Sequence, residues 1–269
     1  MTPQKFRSLV WKYWKEHGRH DLLWRKTADP YKILVSEVML QQTQVERVLP
    51  YYIHFLKKFP TAKKLSEAPL SEVLIQWQGL GYNRRAKMLH ETAKAVVREH
   101  RGKFPASTVE LEKLPGIGPY TAGAVAAFAY NHDGIFIETN IRTVITHHFF
   151  TDQELVAESE VHAILERVYP QGQAREWYAA LMDYGAHLKH SGVRINARAK
   201  GYTKQGEFKG SGREVRGAIV RALSEAPQSK RALTKLFPKE RGSQMEEQID
   251  KLVKEEIIVK KGANYSLAT

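Results

Sequence analysis

Glu37 is the first residue whose surroundings invite chemistry. It lies in the string Ser36-Glu37-Val38-Met39-Leu40-Gln41-Gln42-Thr43-Gln44-Val45, with Val35, Val38, Met39 and Leu40 close by in sequence. A carboxyl among such neighbours is expected to be buried, and burial favours the protonated acid over the anion. That is the state a general acid needs near neutral pH. A glutamate in an apolar helix also serves as a cap or as half of an ion pair, so its surroundings alone leave all three roles open. A second string, Leu114-Pro115-Gly116-Ile117-Gly118-Pro119-Tyr120-Thr121-Ala122-Gly123, places two glycines one residue apart ahead of a small-residue helix. Gly116 and Gly118 are expected to form a tight hairpin that brings backbone close to an anion, and the next helix offers its first N–H groups to it. Carbonyls exposed in such a hairpin can hold a monovalent cation; an ordinary tight turn between core helices is the competing reading.

These strings need elements to position them. Apolar residues recur at helical spacing almost everywhere up to residue 188, which predicts helices over 4–16, 31–46, 48–58, 70–77, 83–100, 108–113, 119–131, 139–149, 159–168 and 174–188. Strand-like alternation is nearly absent there, so the first domain, 1–188, is expected to be all-helical. Between 189 and 212 the pattern dissolves into a basic, Gly-rich run expected to be a linker. Helices over 213–224, 229–236 and 243–255 then precede two runs around Gly262 that read as a β-hairpin. Three helices and a hairpin over 213–269 are the pattern of a winged helix. The expected fold class is therefore mainly α, with a small C-terminal winged-helix-like α+β domain.

Charge narrows the partner. The chain has 269 residues, 42 Lys+Arg against 29 Asp+Glu and a formal net charge of +13, which favours a polyanion. Residues 187–221 hold nine Lys+Arg against Glu207 and Glu214, a surplus of seven and about half of the total. Lys200, Lys204 and Lys209 are the candidate phosphate contacts in that run, with Tyr202 and Phe208 as packing anchors; a solvated linker is the alternative. No apolar run approaches the roughly 18 residues of a membrane span, and residues 1–20 lack the pattern of a secretory signal. The expectation is a cytoplasmic, nucleoid-associated monomer with no membrane partner. The chain contains no cysteine, which excludes disulfides, cysteine nucleophiles and cysteine-ligated metal centres.

Taken together, these strings over 20–188 resemble the helix-hairpin-helix DNA glycosylases, and within them the adenine-removing branch. Leu-Pro-Gly-Ile-Gly at 114–118 is that superfamily's signature, and Ser36 to Val45 is similar to the branch's most diagnostic string. Asp21-Leu22-Leu23-Trp24-Arg25, Gly79-Leu80-Gly81-Tyr82, Arg84-Arg85-Ala86 and Glu138-Thr139-Asn140-Ile141-Arg142-Thr143-Val144 follow in the family's order. The resemblance implies double-stranded DNA carrying a mispaired or damaged base as partner, and excision of the base by cleaving its N-glycosidic bond. Such a cleavage needs one group to protonate the leaving base and one anion to stabilise an oxocarbenium-like sugar. The resemblance gives those roles to Glu37 and Glu138. It makes Asn140 a positioner, Gln41, Gln42 and Tyr82 the wedge that fills the space left by an extruded nucleotide, and Arg25 a phosphate contact. Bifunctional relatives carry a Schiff-base lysine where this chain has Tyr120, which cannot form an imine, so a monofunctional enzyme is implied.

The chain departs from the family at three places. The pattern calls for Asp where Glu138 stands, one methylene longer. The four cysteines that ligate an iron–sulfur cluster are missing, with Lys189, Asn196 and Ala199 at the approximate positions of the first three, so no cluster and no other metal site is expected. The long C-terminal domain that reads 8-oxoguanine in adenine-type members is replaced by the winged-helix pattern. Adenine opposite guanine or 8-oxoguanine is the expected target. A thymine or uracil mismatch glycosylase on the same scaffold, and a catalytically silent mismatch-binding protein in which Glu138 has replaced catalysis by recognition, are the alternatives.

Overall fold

The computed structural model describes residues 1–193, 195 and 206–269, and the chain divides into two compact units that interleave along the sequence. The first comprises 1–34, 105–113 and 117–205, and the second 35–104, 114–116 and 206–269. Among the described residues, no helix is long and apolar enough to cross a membrane.

The first unit is helical. It holds α1 (Pro3–His17), the start of α2 (Pro30–Leu40), α7 (Thr108–Glu112), α8 (Pro119–Tyr130), α9 (Thr139–Phe149), α10 (Glu158–Val168) and α11 (Ala174–His190). α11 packs on α9, α1 and α8, so its interior is apolar on nearly every side: Trp177, Tyr178, Ala180 and Leu181 are fully buried. Phe6 of α1 meets Trp177 and Phe149 edge-on, with ring centroids 6.1 and 5.0 Å away. Large rings of this kind contribute most of the apolar area removed from water.

The second unit carries the end of α2 together with α3 (Val45–Lys58), α4 (Ala62–Glu67), α5 (Leu70–Trp77) and α6 (Arg84–His100). Its C-terminal part adds α12 (Gly212–Glu225), α13 (Lys230–Thr234), α14 (Gly242–Lys254) and a small sheet. Strands β2 (Ile258–Lys261) and β3 (Asn264–Leu267) form the expected hairpin. A two-residue strand, β1 (Gln228–Ser229), pairs antiparallel with β3, giving the order β1-β3-β2. α12 packs on α14, β3 and α5, so the winged-helix-like residues share one compact unit with 35–104.

Two helical expectations change. The helix expected over 31–46 stops at Leu40, because Gln42 adopts a left-handed backbone (φ 56°) that no α-helix continues. Gln41 and Gln42 are thus in a turn, and a new helix starts at Val45. The periodicity gives no sign of α4. It is a six-residue helix whose first turn is capped by the Thr61 hydroxyl on the Lys64 N–H, too short for periodicity to register.

Candidate active site

In the first unit the site is built around Glu138, which N-caps α9. Its Oε1 accepts the N–H groups of Asn140 (2.6 Å) and Ile141 (2.8 Å), and its own backbone is extended (φ −123°, ψ 176°). The side chain therefore folds back onto the first turn of α9, so the extra methylene is taken up in its path. A carboxylate on a helix N-terminus is favoured by the helix dipole and by two otherwise unpartnered N–H donors. Burial pushes the Glu138 carboxyl above its ordinary range, opposed by those N–H groups and by the cations Lys189 and Arg142.

Asn140 accepts the Lys189 ammonium on its Oδ1 at 2.6 Å. The approach is tight because a Cβ on Gly185 would lie 2.3 Å from the Asn140 carbonyl oxygen; only glycine lets α11 come this close to α9. Tyr120, half-buried in the first turn of α8, meets Phe136 edge-on at 5.9 Å, and Phe136 lies over Tyr178 at 3.9 Å. The phenol of Tyr178 in turn donates to the Gly134 carbonyl at 2.6 Å. This aromatic stack braces the segment that leads into Glu138.

Arg25 is turned inward. Its guanidinium pairs with Asp183 (3.2 Å), whose carboxylate is also held by Arg19, and lies 5.8 Å from the Phe128 ring centroid. The Asp183 side chain is 1% exposed and that of Arg25 13%. A guanidinium committed to a buried carboxylate is an internal brace, so the expected phosphate contact is not what this geometry offers.

In the second unit, Glu37 lies on α2 with 5% of its surface exposed, beside fully buried Ser36. The turn that follows carries Gln41 and Gln42, and the turn 79–82 carries Tyr82. Both are strained: Gln42 and Tyr82 (φ 48°) are non-glycine residues in the left-handed region, with Gly79 and Gly81 also at positive φ. Arg85 joins them. Its guanidinium donates to the carbonyls of Val38 (2.7 Å), Met39 (3.0 Å) and Gln41, and to the Thr43 hydroxyl at 3.2 Å. From the other turn it takes the carbonyls of Leu80 (3.1 Å) and Gly81 (3.3 Å). Burial pulls its pKa down to about 10. Sequence reasoning gave Arg85 only its place in the family's order; here it is the clamp behind the turns that carry Gln42 and Tyr82.

Tyr82, 37% exposed, is stacked against the Arg85 guanidinium and donated to by Arg213 of α12 at 3.0 Å. Sequence reasoning missed Arg213, since nothing local marks it. Gly116 has φ 75°, and a Cβ there would lie 2.5 Å from the Cβ of Met88, so the hairpin sits hard against α6. The Pro115 carbonyl of that hairpin accepts the Thr92 hydroxyl at 2.6 Å. Gly118 is extended at the N-terminus of α8, with open space where a Cβ would be. Lys209 is exposed; Lys200 and Lys204 lie outside the described residues, as do Asn196 and Ala199. An iron–sulfur cluster does not fit this chain, which supplies no thiolate. Among the described residues, no group of three or more His, Asp or Glu is gathered for a metal ion.

Residues 35–171 match the model of the HhH-GPD superfamily base excision DNA repair protein. The chain is 37% identical over 187 residues to the adenine DNA glycosylase of Buchnera aphidicola subsp. Baizongia pistaciae, covering 69% of this chain and 53% of that one. It is 34% identical over 236 residues to the adenine DNA glycosylase of Mycobacterium tuberculosis, covering 79% and 77%. The chain thus spans about half the length of the Buchnera relative and three quarters of the mycobacterial one. Among solved structures, a thermostable thymine-DNA glycosylase superposes with a TM-score of 0.61 at 27% identity, covering 68% of this chain and 86% of that one. A trapped endonuclease III–DNA covalent intermediate gives 0.59 at 20% identity over 70% and 87%, a likeness of fold alone.

Proposed function

Since the chain belongs to the HhH-GPD superfamily of base excision DNA repair proteins, we propose that it is a monofunctional DNA glycosylase of the adenine type. It binds double-stranded DNA, extrudes a mispaired base and hydrolyses its N-glycosidic bond. The observation that carries this reading is the seat of Glu138, a carboxylate bonded to two N–H groups at the N-terminus of α9. A preorganised anion of this kind stabilises an oxocarbenium-like sugar without reorganising during the reaction. Glu37, buried on α2, is the general acid for the leaving base. Gln42 and Tyr82, on turns clamped by Arg85, form the wedge, with Gln41 beside them. Gly116 and Gly118 bring backbone to a phosphate, where a monovalent cation can bridge. Adenine opposite guanine or 8-oxoguanine is the target, and the protein acts as a monomer.

The likeness to a thymine-DNA glycosylase supports a thymine or uracil mismatch enzyme as the second reading, and Tyr120 is compatible with both. One experiment separates the readings. Duplexes carrying A opposite G, A opposite 8-oxoguanine, and T or U opposite G are incubated with the protein, then treated with alkali to cut abasic sites. Excision of adenine alone is the expected outcome; excision of T or U supports the second reading. Tight binding without release of any base would make the protein a silent mismatch binder.

A further inference from the structure

Lys189 stands where the resemblance implies a cluster cysteine, yet its charge acts on Glu138, the centre of the first unit's site. It lies in the last turn of α11, half-buried, with its ammonium on the Asn140 side chain at 2.6 Å. A half-buried ammonium gives up hydration that one amide oxygen does not restore. It also stands by the first turn of α9, where the helix dipole disfavours a cation. Both costs are offset if the Glu138 carboxylate, seated on that same helix terminus, is ionised. Among the described residues, the charged groups that act on Glu138 are Lys189 from α11 and Arg142 from its own helix, and Arg142 is already bonded to Glu158 of α10. Burial lowers the Lys189 pKa and Glu138 opposes that fall, so the two groups stabilise each other's charge. Gly185, one helical turn before Lys189, makes the contact possible by letting α11 close on Asn140.

We propose that Lys189 is a positioning residue of the excision site, an ammonium that fixes the Asn140 side chain and holds Glu138 as the anion at the N-terminus of α9. The proposal rests on the role given to Glu138 above. In this way the chain keeps a half-buried carboxylate charged.

The test uses Lys189→Met, which keeps an unbranched apolar stem and removes the charge, and Lys189→Arg, which restores it. Single-turnover excision is followed against pH in the full-length protein. Lys189→Met should slow excision about tenfold at neutral pH and move the acid limb upward by about one pH unit, the effect of losing one nearby opposite charge. Lys189→Arg should return the limb towards its original place. A second measurement needs no activity: melting temperature against pH. Without Lys189, ionising Glu138 costs more in the folded state. The deficit of Lys189→Met against the unaltered protein should therefore be small near pH 4 and grow towards pH 7. If the unaltered protein releases no base from any duplex, the functional reading fails, and the melting curves alone decide the Lys189–Glu138 coupling. An unmoved acid limb together with a deficit that is flat in pH would overturn the proposal and leave Lys189 a spacer between α9 and α11.

Discussion

Replacing Glu138 in three ways separates its charge, its length and its capping role. Glu138→Ala removes the acceptor for the Asn140 and Ile141 N–H groups; losing such a cap costs about 1 kcal/mol, a fall of roughly 2–4 °C in melting temperature for a protein of this size. Glu138→Gln leaves an amide oxygen that can accept the same two bonds, so its melting temperature should stay within that range of the parent. Its excision rate should nevertheless drop on the order of 100-fold, about 2.7 kcal/mol, as when one preorganised charge-stabilising group is lost. Glu138→Asp keeps charge and cap, since Asp is a favoured N-cap, but retracts the carboxylate by about 1.5 Å, one C–C bond length, on a fixed backbone. Because the Glu138 side chain is already folded onto α9, its seat suits the longer acid, and Glu138→Asp should lose tenfold or more, about 1.4 kcal/mol. Rates come from single-turnover excision with alkaline cleavage, and stability from thermal melts of the same preparations. Full activity in Glu138→Gln would refute the anionic role. A rise in Glu138→Asp would mean that the site is shaped for the shorter residue and that the natural protein works below its capacity.

Four other outcomes are expected. With Tyr120 at the Schiff-base position, the protein should release a base without nicking the strand, so scission before alkali or a borohydride-trapped adduct would contradict it. Replacing Lys200, Lys204 and Lys209 together should weaken binding to all duplexes alike and flatten the salt dependence, by roughly 0.9 in slope for each phosphate no longer neutralised, readable by titration at several salt concentrations. Arg85→Met should destabilise the fold by on the order of 3 kcal/mol, since a clamp of charge-assisted bonds is removed from two turns, and should reduce base extrusion as reported by a fluorescent base analogue. His148 is held neutral by burial, with His147 adding to the effect, at a pKa of about 4. Its unfolded-state pKa is higher, near 6.5, so the unfolded chain takes up the proton first. Stability should therefore fall as pH drops from about 6.5 towards 4, and His148→Asn should flatten that part of a melting-temperature profile.

Much of this protein was legible along the chain because its signals are local. Helix periodicity, the Leu-Pro-Gly-Ile-Gly hairpin and the apolar setting of Glu37 depend on neighbours within a few residues, the absence of cysteine is a matter of composition, and the sequence alone determined the helical class and the hairpin. It could not show that the helix after Pro30 ends at Leu40, because the left-handed turn at Gln42 is sustained by Arg85 from more than 40 positions away. It marked Arg25 as a phosphate contact, whereas the buried carboxylate of Asp183, 158 positions further on, claims that guanidinium. Lys189 read as one basic residue at the edge of a charged run until the close crossing of α9 and α11 at Gly185 put it on Asn140. Arg213 met Tyr82 only through the packing of α12 on α5. Each of these is a charge whose partner lies far away in sequence. Electrostatic and hydrogen-bond partners are chosen by three-dimensional proximity and burial, and tertiary structure alone decided where each of these charges finds its partner.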